Sequence, residues 1–359
     1  MKIAISTGGG DAPGLNAVIR AVVLSSMQRG WMVYGIQQGF GGLLGDAQIV
    51  PVTGETVRGI THLGGTILGT TNRGNPFAWP VKQPDGTMGE VDRSDEVVAA
   101  FRRLGLGAMI VVGGDGSLKI AQRLCDKGVP IVGVPKTIDN DVRGTVITFG
   151  FDTAVNTATD AIDKLHSTAE SHQRVFVVEV MGRHAGWIAL NSGLSGTADV
   201  ILIPEIPFDL GKVCDKIIER DLTGQHFSIV VVSEGARPLG GAEVFQEGRT
   251  AGAVARLGGI GERVAQAIAE RTGKETRSVV LGHLQRGGSP TTFDRLLALR
   301  FGAAAVRAVE EKKFGQMVAL DPPSIVTVPF QVALEGHTGV PLDHDSIQTA
   351  RDLGICLGD

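Results

Sequence analysis

The chain has 359 residues, of which 43% are hydrophobic and 20% charged, with a net charge of −4. This excludes a disordered or fibrous protein, leaves room for two domains, and offers no general attraction to nucleic acid or an anionic membrane. The three cysteines, Cys125, Cys214 and Cys356, are far apart without CxxC spacing, which excludes a disulfide framework or zinc site and implies reduced thiols. The residues after Met1 run directly into a strand, and no apolar run reaches the ~18 residues of a membrane span. A cytoplasmic, soluble protein is expected.

In chain order, residues 2–7 read as a buried strand, 8–14 as a glycine loop and 15–28 as a helix with Leu15, Val18, Ile19, Val22 and Val23 on one face. A second strand follows over 31–37, a glycine-rich stretch over 39–46 and a glycine-threonine loop over 64–71. Residues 75–91 are polar, with three prolines, and suggest a surface excursion. Helix 94–104, strand 108–112, helix 118–127 and strand 130–134 complete a first βα series. A second series runs as helix 152–166, strand 174–180, helix 184–192, strand 199–203, helix 210–220, strand 227–233, helix 259–272 and strand 276–281. A long helix is expected over 293–310, and the tail after Gly315 carries no readable pattern.

Strands alternating with helices imply an α/β protein: two Rossmann-like lobes with mainly parallel sheets flanked by helices, and ligands at the carboxyl ends of the strands. The expected division is 1–150 plus about 285–335 for one lobe, and 151–284 plus about 336–359 for the other, with the active site in the cleft between them.

Glycine loops mark those strand ends. Gly8-Gly9-Gly10-Asp11 and Gly113-Gly114-Asp115-Gly116-Ser117 each follow an apolar run and carry an acid. Either alone reads equally as a tight turn; together they offer backbone N–H groups and a metal ligand to phosphate. Val134-Pro135-Lys136-Thr137-Ile138-Asp139-Asn140-Asp141 is another strand ending in a lysine, a threonine and two carboxylates spaced i, i+2. On an extended chain that spacing points both acids the same way. The bland alternative is turn chemistry or a helix cap. A phosphate cradle, a Mg²⁺ carboxylate and a base at successive strand ends point to phosphoryl transfer.

The second series adds cations: Arg174 before one strand, Met181-Gly182-Arg183-His184 after it, Arg277 at the start of another, and Gly282-His283-Leu284-Gln285-Arg286 at its end. Four arginines and two histidines at strand mouths suggest a sugar-phosphate pocket, since guanidinium forks match phosphate oxygens. Ser233-Glu234-Gly235 supplies a carboxylate suited to sugar hydroxyls. His62 and His226 lack such company.

These segments resemble the 6-phosphofructokinases of the ATP- and pyrophosphate-dependent superfamily, through residues 9–16, 113–117, 135–141, 171–174, 178–186 and 282–290. The resemblance implies Mg²⁺-dependent transfer of a phosphoryl group to O1 of fructose 6-phosphate. It makes Asp139 the base, with Thr137 and Asp141 supporting substrate and metal. Asp115 would hold Mg²⁺, and Gly10, Gly114, Gly116, Ser117, Lys136 and Arg73 would line the donor. Arg183 and Arg73 would stabilise the transferring group, and Met181, Gly182, Glu234 and His283 would line the sugar. Arg286 would hold the 6-phosphate, helped by Arg174 and Arg277 from a neighbouring subunit, which implies a shared active site and a homotetramer. Neither nucleic acid nor membrane is an expected partner.

The donor markers conflict. Gly116 leaves room for a nucleotide α-phosphate and points to ATP, whereas Lys136 is the residue usual in pyrophosphate enzymes. Gly116 is weighted more heavily, because it lifts a steric and like-charge veto. Ile120 replaces a glycine often found near the adenine, and Arg73 follows one extra residue, Asn72. At the family's allosteric effector site Arg20 remains, but Leu24, His166, Gln225 and His226 fill usually basic positions, so a weakened anion site is expected. A pyrophosphate-dependent enzyme is the nearest alternative. A lipid or NAD kinase would share the glycine loop but not Arg183, His283 and Arg286. A non-catalytic sugar-phosphate sensor would lack a catalytic residue, yet Asp115, Asp139 and Arg183 are all present.

Overall fold

Apolar runs become central strands here because both of their faces are covered. In the computed structural model, which describes residues 1–45, 48–241 and 258–359, strand Lys2–Thr7 sends Ile3 and Ile5 into one core and Ala4 into another. It pairs in parallel with Met32–Ile36 and Ala108–Gly113. Ile131–Thr137 and Gln316–Asp321 extend the sheet in parallel, and Phe149–Gly150 pairs with the end of Ile131–Thr137. Antiparallel strands close both edges, Ile49–Val52 beside Met32–Ile36 and Ser324–Pro329 beside Gln316–Asp321. Helices Leu15–Met27 and Thr292–Glu310 cover the Ile3 face, and Ser94–Arg103 and Asp115–Asp126 cover the other.

The chain divides into two units. The first comprises Met1–Ile138, Val142–Asp152 and Arg286–His337; the second comprises Asp139–Asp141, Thr153–Gln285 and Thr338–Asp359. The second unit's sheet is wholly parallel, in the order Val200–Leu202, Ser228–Ser233, Val175–Val180, Thr276–Val280. Helices Leu210–Leu222 and Ile260–Thr272 bury Val213, Ile217, Val264 and Ile268 against Val175, Val177, Val230 and Val232. Thr276–Val280 is an edge strand and largely exposed. Beside the opposite edge, Cys356 forms a parallel bridge with Val200.

The α/β class and mainly parallel sheets are those expected. The tail is not featureless, because Gln316–Asp321 and Ser324–Pro329 complete the first sheet and Asp345–Asp352 forms a helix. The polar excursion contains a hairpin, Trp79–Lys82 with Met88–Val91, whose turn is held by Gln83 N–H to the Thr87 carbonyl at 2.8 Å. The helix expected over 152–166 runs as Phe151–His172, and the one expected over 184–192 as Trp187–Ser195. Asp46, at the end of the glycine-rich stretch, lies outside the described residues. Among those described, no helix is long and apolar enough to cross a membrane.

Candidate active site

In the first unit three strand ends converge. Gly8 N–H donates to the Val112 carbonyl at 2.9 Å and Gly9 N–H to the Thr71 carbonyl at 3.2 Å; Thr70 Oγ1 donates to the Gly9 carbonyl at 2.6 Å. Asn16 fixes the loop that follows, accepting from Ile67 N–H at 2.9 Å and donating to the Leu63 and Gly64 carbonyls. Close approach demands glycine twice: a Cβ on Gly8 would lie 2.6 Å from Ser117 Oγ, and one on Gly113 would lie 2.3 Å from Ser117 Cβ.

Asp115, Gly116 and Ser117 form the first turn of helix Asp115–Asp126, three residues earlier than the expected start at Leu118. First-turn N–H groups have no intrahelical acceptor and, with the helix dipole, favour an anion. Gly114 and Gly116 are there, and nothing lies within 4 Å of where a Gly116 side chain would begin. The Asp115 carboxylate pairs with Lys119 at 2.8 Å, one turn on. Lys136 is only 3% exposed and directs Nζ to the Gly10 carbonyl, beside both glycine loops. Arg73 is exposed, on a loop where its N–H donates to Thr71 Oγ1 at 3.1 Å.

Among the described residues no group of three or more acids, histidines or cysteines is arranged to hold a metal ion. Mg²⁺ commonly takes one or two carboxylates and completes its shell with water and substrate phosphates. Asp115, on a turn that favours phosphate, fits such an ion.

The second unit begins at a departure from the ladder. Past Thr137 the chain bends, and Asn140 adopts a left-handed φ of 52°. Residues 139–141 are therefore not extended, and the expectation that i, i+2 spacing alone aligns Asp139 with Asp141 does not hold. Asn tolerates this conformation better than other non-glycine residues. Both aspartates are half-buried.

Residues 181–186 follow strand Val175–Val180. The Gly182 carbonyl accepts from Ser233 Oγ at 2.6 Å and from Gly235 N–H at 3.2 Å. Gly235 is obligatory, since a Cβ there would lie 2.1 Å from the Arg183 carbonyl. Met181 N–H donates to Gln285 Oε1 at 3.3 Å, and Gln285 Nε2 donates to the Gly282 carbonyl at 3.1 Å. These bonds gather Met181, Gly182, Arg183, Glu234 and His283 at the carboxyl ends of three neighbouring parallel strands.

Arg174 and Arg277 are elsewhere. They sit at the amino ends of Val175–Val180 and Thr276–Val280, and parallel strands put all their amino ends together. A six-residue strand spans ~20 Å, so one copy of the chain does not bring the four arginines to one pocket. Glu275 holds both of these, at 2.8 Å from Arg174 and 2.6 Å from Arg277, and Arg174 in turn draws the Glu275 carboxyl below its ordinary range. Arg286 belongs to the first unit, where it donates to the Asp11 carbonyl at 3.0 Å, whereas His283 belongs to the second. The remaining effector-site positions are engaged locally: Arg20 with the Val57 carbonyl, His166 with the Gly196 carbonyl and His226 with Asp221.

Sequence reasoning passed over Gln285, Glu275 and Glu205. Glu205 Oε1 accepts from Gly186 N–H at 2.9 Å and from Val340 N–H at 2.7 Å. A charged residue after the buried run at 200–203 was a signal for Glu205; a lone amide inside a turn offered none for Gln285.

The phosphofructokinase family model matches residues 2–309. The ATP-dependent 6-phosphofructokinase of Chloroflexus aurantiacus is 53% identical over 359 residues, covering 100% of this chain and 98% of that protein. The pyrophosphate–fructose 6-phosphate 1-phosphotransferase of Streptomyces coelicolor is 52% identical over 336 residues, covering 93% and 94%. The phosphofructokinase structure from Saccharomyces cerevisiae aligns with a TM-score of 0.78 and 30% identity over 98% of this chain, which spans 47% of that one. The chain belongs to the phosphofructokinase family.

Proposed function

We propose that the chain is an ATP-dependent 6-phosphofructokinase, moving the γ-phosphoryl group of ATP to O1 of fructose 6-phosphate. The observation that carries the donor assignment is the open first turn of helix Asp115–Asp126, where Gly116 leaves space beside N–H groups suited to phosphate. The full-length likeness to ATP-dependent 6-phosphofructokinases supports it.

In this reading the sugar's O1 attacks the γ-phosphorus as the bond to the ADP oxygen breaks, and Asp139 takes the O1 proton. Thr137 and Asp141 support the acceptor. Lys136, Gly10, Gly114, Gly116 and Ser117 hold the donor phosphates, and Arg183 and Arg73 offset charge on the transferring group. Met181, Gly182, Glu234 and His283 contact the sugar, and Arg286 its phosphate. Asp115 would hold Mg²⁺, which supplies charge neutralisation at the phosphate oxygens. Arg174 and Arg277, at the amino ends of neighbouring strands, would serve a neighbouring copy in a homotetramer. The engaged effector positions support a weakened allosteric site.

A pyrophosphate-dependent enzyme is the second reading, favoured by buried Lys136 and by relatives of that class. The deciding test is fructose 1,6-bisphosphate formation by purified protein with Mg²⁺ and fructose 6-phosphate, given ATP or pyrophosphate separately. Turnover with ATP alone upholds the proposal; turnover with pyrophosphate alone overturns it.

A further inference from the structure

We infer that residues 338–340 form a positioning strap that joins the turn bearing Asp139 to the loop bearing Arg183. The inference rests on the reading above that these two residues do the chemistry. All the contacts it uses lie within the second unit. Thr338 N–H donates to the Asp141 carbonyl at 2.9 Å, and the Thr338 carbonyl accepts from Trp187 Nε1 at 3.2 Å. One residue thus ties the 139–141 turn to the first residue of helix Trp187–Ser195. Two residues on, Val340 N–H and Gly186 N–H share Glu205 Oε1.

The fit is close enough to specify the residues involved. A Cβ on Gly339 would lie 2.9 Å from Glu205 Oε1, and one on Gly186 would lie 2.8 Å from Glu205 Oε2 and 2.4 Å from Ile203 Cβ. The strap is also anchored downstream. The Trp187 ring meets His344 edge-on at 5.0 Å, and His344 caps helix Asp345–Asp352. Cys356 and Gly358 then bond to the backbone of Asp199, Ile201 and Asp209.

The turn needs such support because it lies beyond the last ladder bond of its strand, and a half-buried carbonyl such as that of Asp141 requires a donor. The 181–186 loop is fixed at its start by Ser233 and Gln285; Glu205 fixes its end through charge-assisted bonds. Thr338 and Val340 make the two loops move together.

The test compares full-length wild type with Trp187→Phe, which keeps the ring against His344 but loses the N–H, and with Glu205→Ala and Glu205→Gln. Hydrogen exchange needs no turnover. Trp187→Phe should speed exchange in peptides covering 138–142 as well as 337–341, and Glu205→Ala should speed it at 181–187. Unchanged exchange at 138–142 in Trp187→Phe would overturn the strap even if the protein made no fructose 1,6-bisphosphate. In kinetics, Glu205→Ala should lower kcat about ten-fold or more, as small misplacements do, with KM for fructose 6-phosphate nearly constant. Glu205→Gln should recover most of it. In an Arg183→Lys background the same Glu205→Ala change should have little further effect, because coupled residues are not additive. Full additivity, or a loss confined to thermal stability, would reduce the strap to a structural brace. Should Glu205→Ala fail to fold, Trp187→Phe carries both arms, by exchange at 138–142 and by a kcat loss that does not add to that of Arg183→Lys.

Discussion

Arg174 Nε lies 2.8 Å from the Glu275 carboxylate, which pairs at the same time with Arg277 on the exposed edge strand. If these arginines serve a sugar phosphate, Glu275 competes with that phosphate for the same donors. All three side chains are solvent-accessible, so each pair is screened and weak. Glu275→Gln should therefore lower KM for fructose 6-phosphate about two- to five-fold, with kcat unchanged. The Glu275 carboxyl is held below its ordinary range, chiefly by the hydrogen bond from Arg174. A depressed carboxyl stabilises the fold above the unfolded value of about 4.3 and loses that contribution as pH falls. Any Tm deficit of Glu275→Gln should be present at pH 7 and close on acidification. A raised KM in the variant would mean that Glu275 orients the arginines rather than occupying them.

Gly116 has no neighbour within 4 Å of its absent side chain. Gly116→Asp should fold normally, yet place a carboxylate on a helix turn assigned to nucleotide phosphate. The expected outcome is a fall in kcat/KM for ATP of about a hundred-fold or more, since like-charge juxtaposition costs several kcal/mol. Use of pyrophosphate should fall less. Donor-specific kinetics on one preparation, with thermal melting alongside, would check this; equal losses for both donors would place the ATP veto elsewhere.

The sheets and the glycine loops were legible because alternating runs and punctuation are local. Ile3, Ala4 and Ile5 announce a strand covered on both faces, and Gly113 to Ser117 announce a turn into a helix. What was hidden depends on chain segments distant in sequence. Thr338 matters through its backbone, which no side-chain pattern reports. Glu205 acts on Gly186 and Val340, and the second lies 135 residues away. The four arginines are a different case, because local sequence does not tell which strand end faces which pocket. Arg174 and Arg183 flank opposite ends of Val175–Val180, which agrees with the expectation that Arg174 and Arg277 serve a neighbouring copy. The tail hairpin was missed because an edge strand such as Ser324–Pro329 is only partly covered and carries no continuous apolar run.

Cys125 offers a check on packing that is independent of activity. Burial pushes its thiol up to about 11, and the other two thiols, Cys214 and Cys356, are also raised by burial. Near pH 7.5 the Cys125 thiolate fraction should be about 10²–10³-fold smaller than that of an ordinary thiol with pKa near 8.5. Native protein should react correspondingly slowly with iodoacetamide at Cys125, and faster as pH rises toward 11. Rapid labelling of Cys125 at neutral pH, read by peptide mass spectrometry, would show that the contact between its helix and the Ile131–Thr137 strand end opens readily.

Asp139 stands on a turn rather than a strand, and this sharpens what its removal should do. Serine is a good turn residue, so Asp139→Ser should keep the bend around Asn140 while removing the carboxylate. If Asp139 accepts the O1 proton, kcat should fall by about 10²–10⁴-fold, the usual worth of general-base assistance. Binding of fructose 6-phosphate, followed by calorimetry without a donor, should change little, because Arg286, Glu234 and His283 are untouched. Loss of kcat with preserved binding separates a base from a binding residue. Near-normal turnover in Asp139→Ser would move the base to Asp141 or to water.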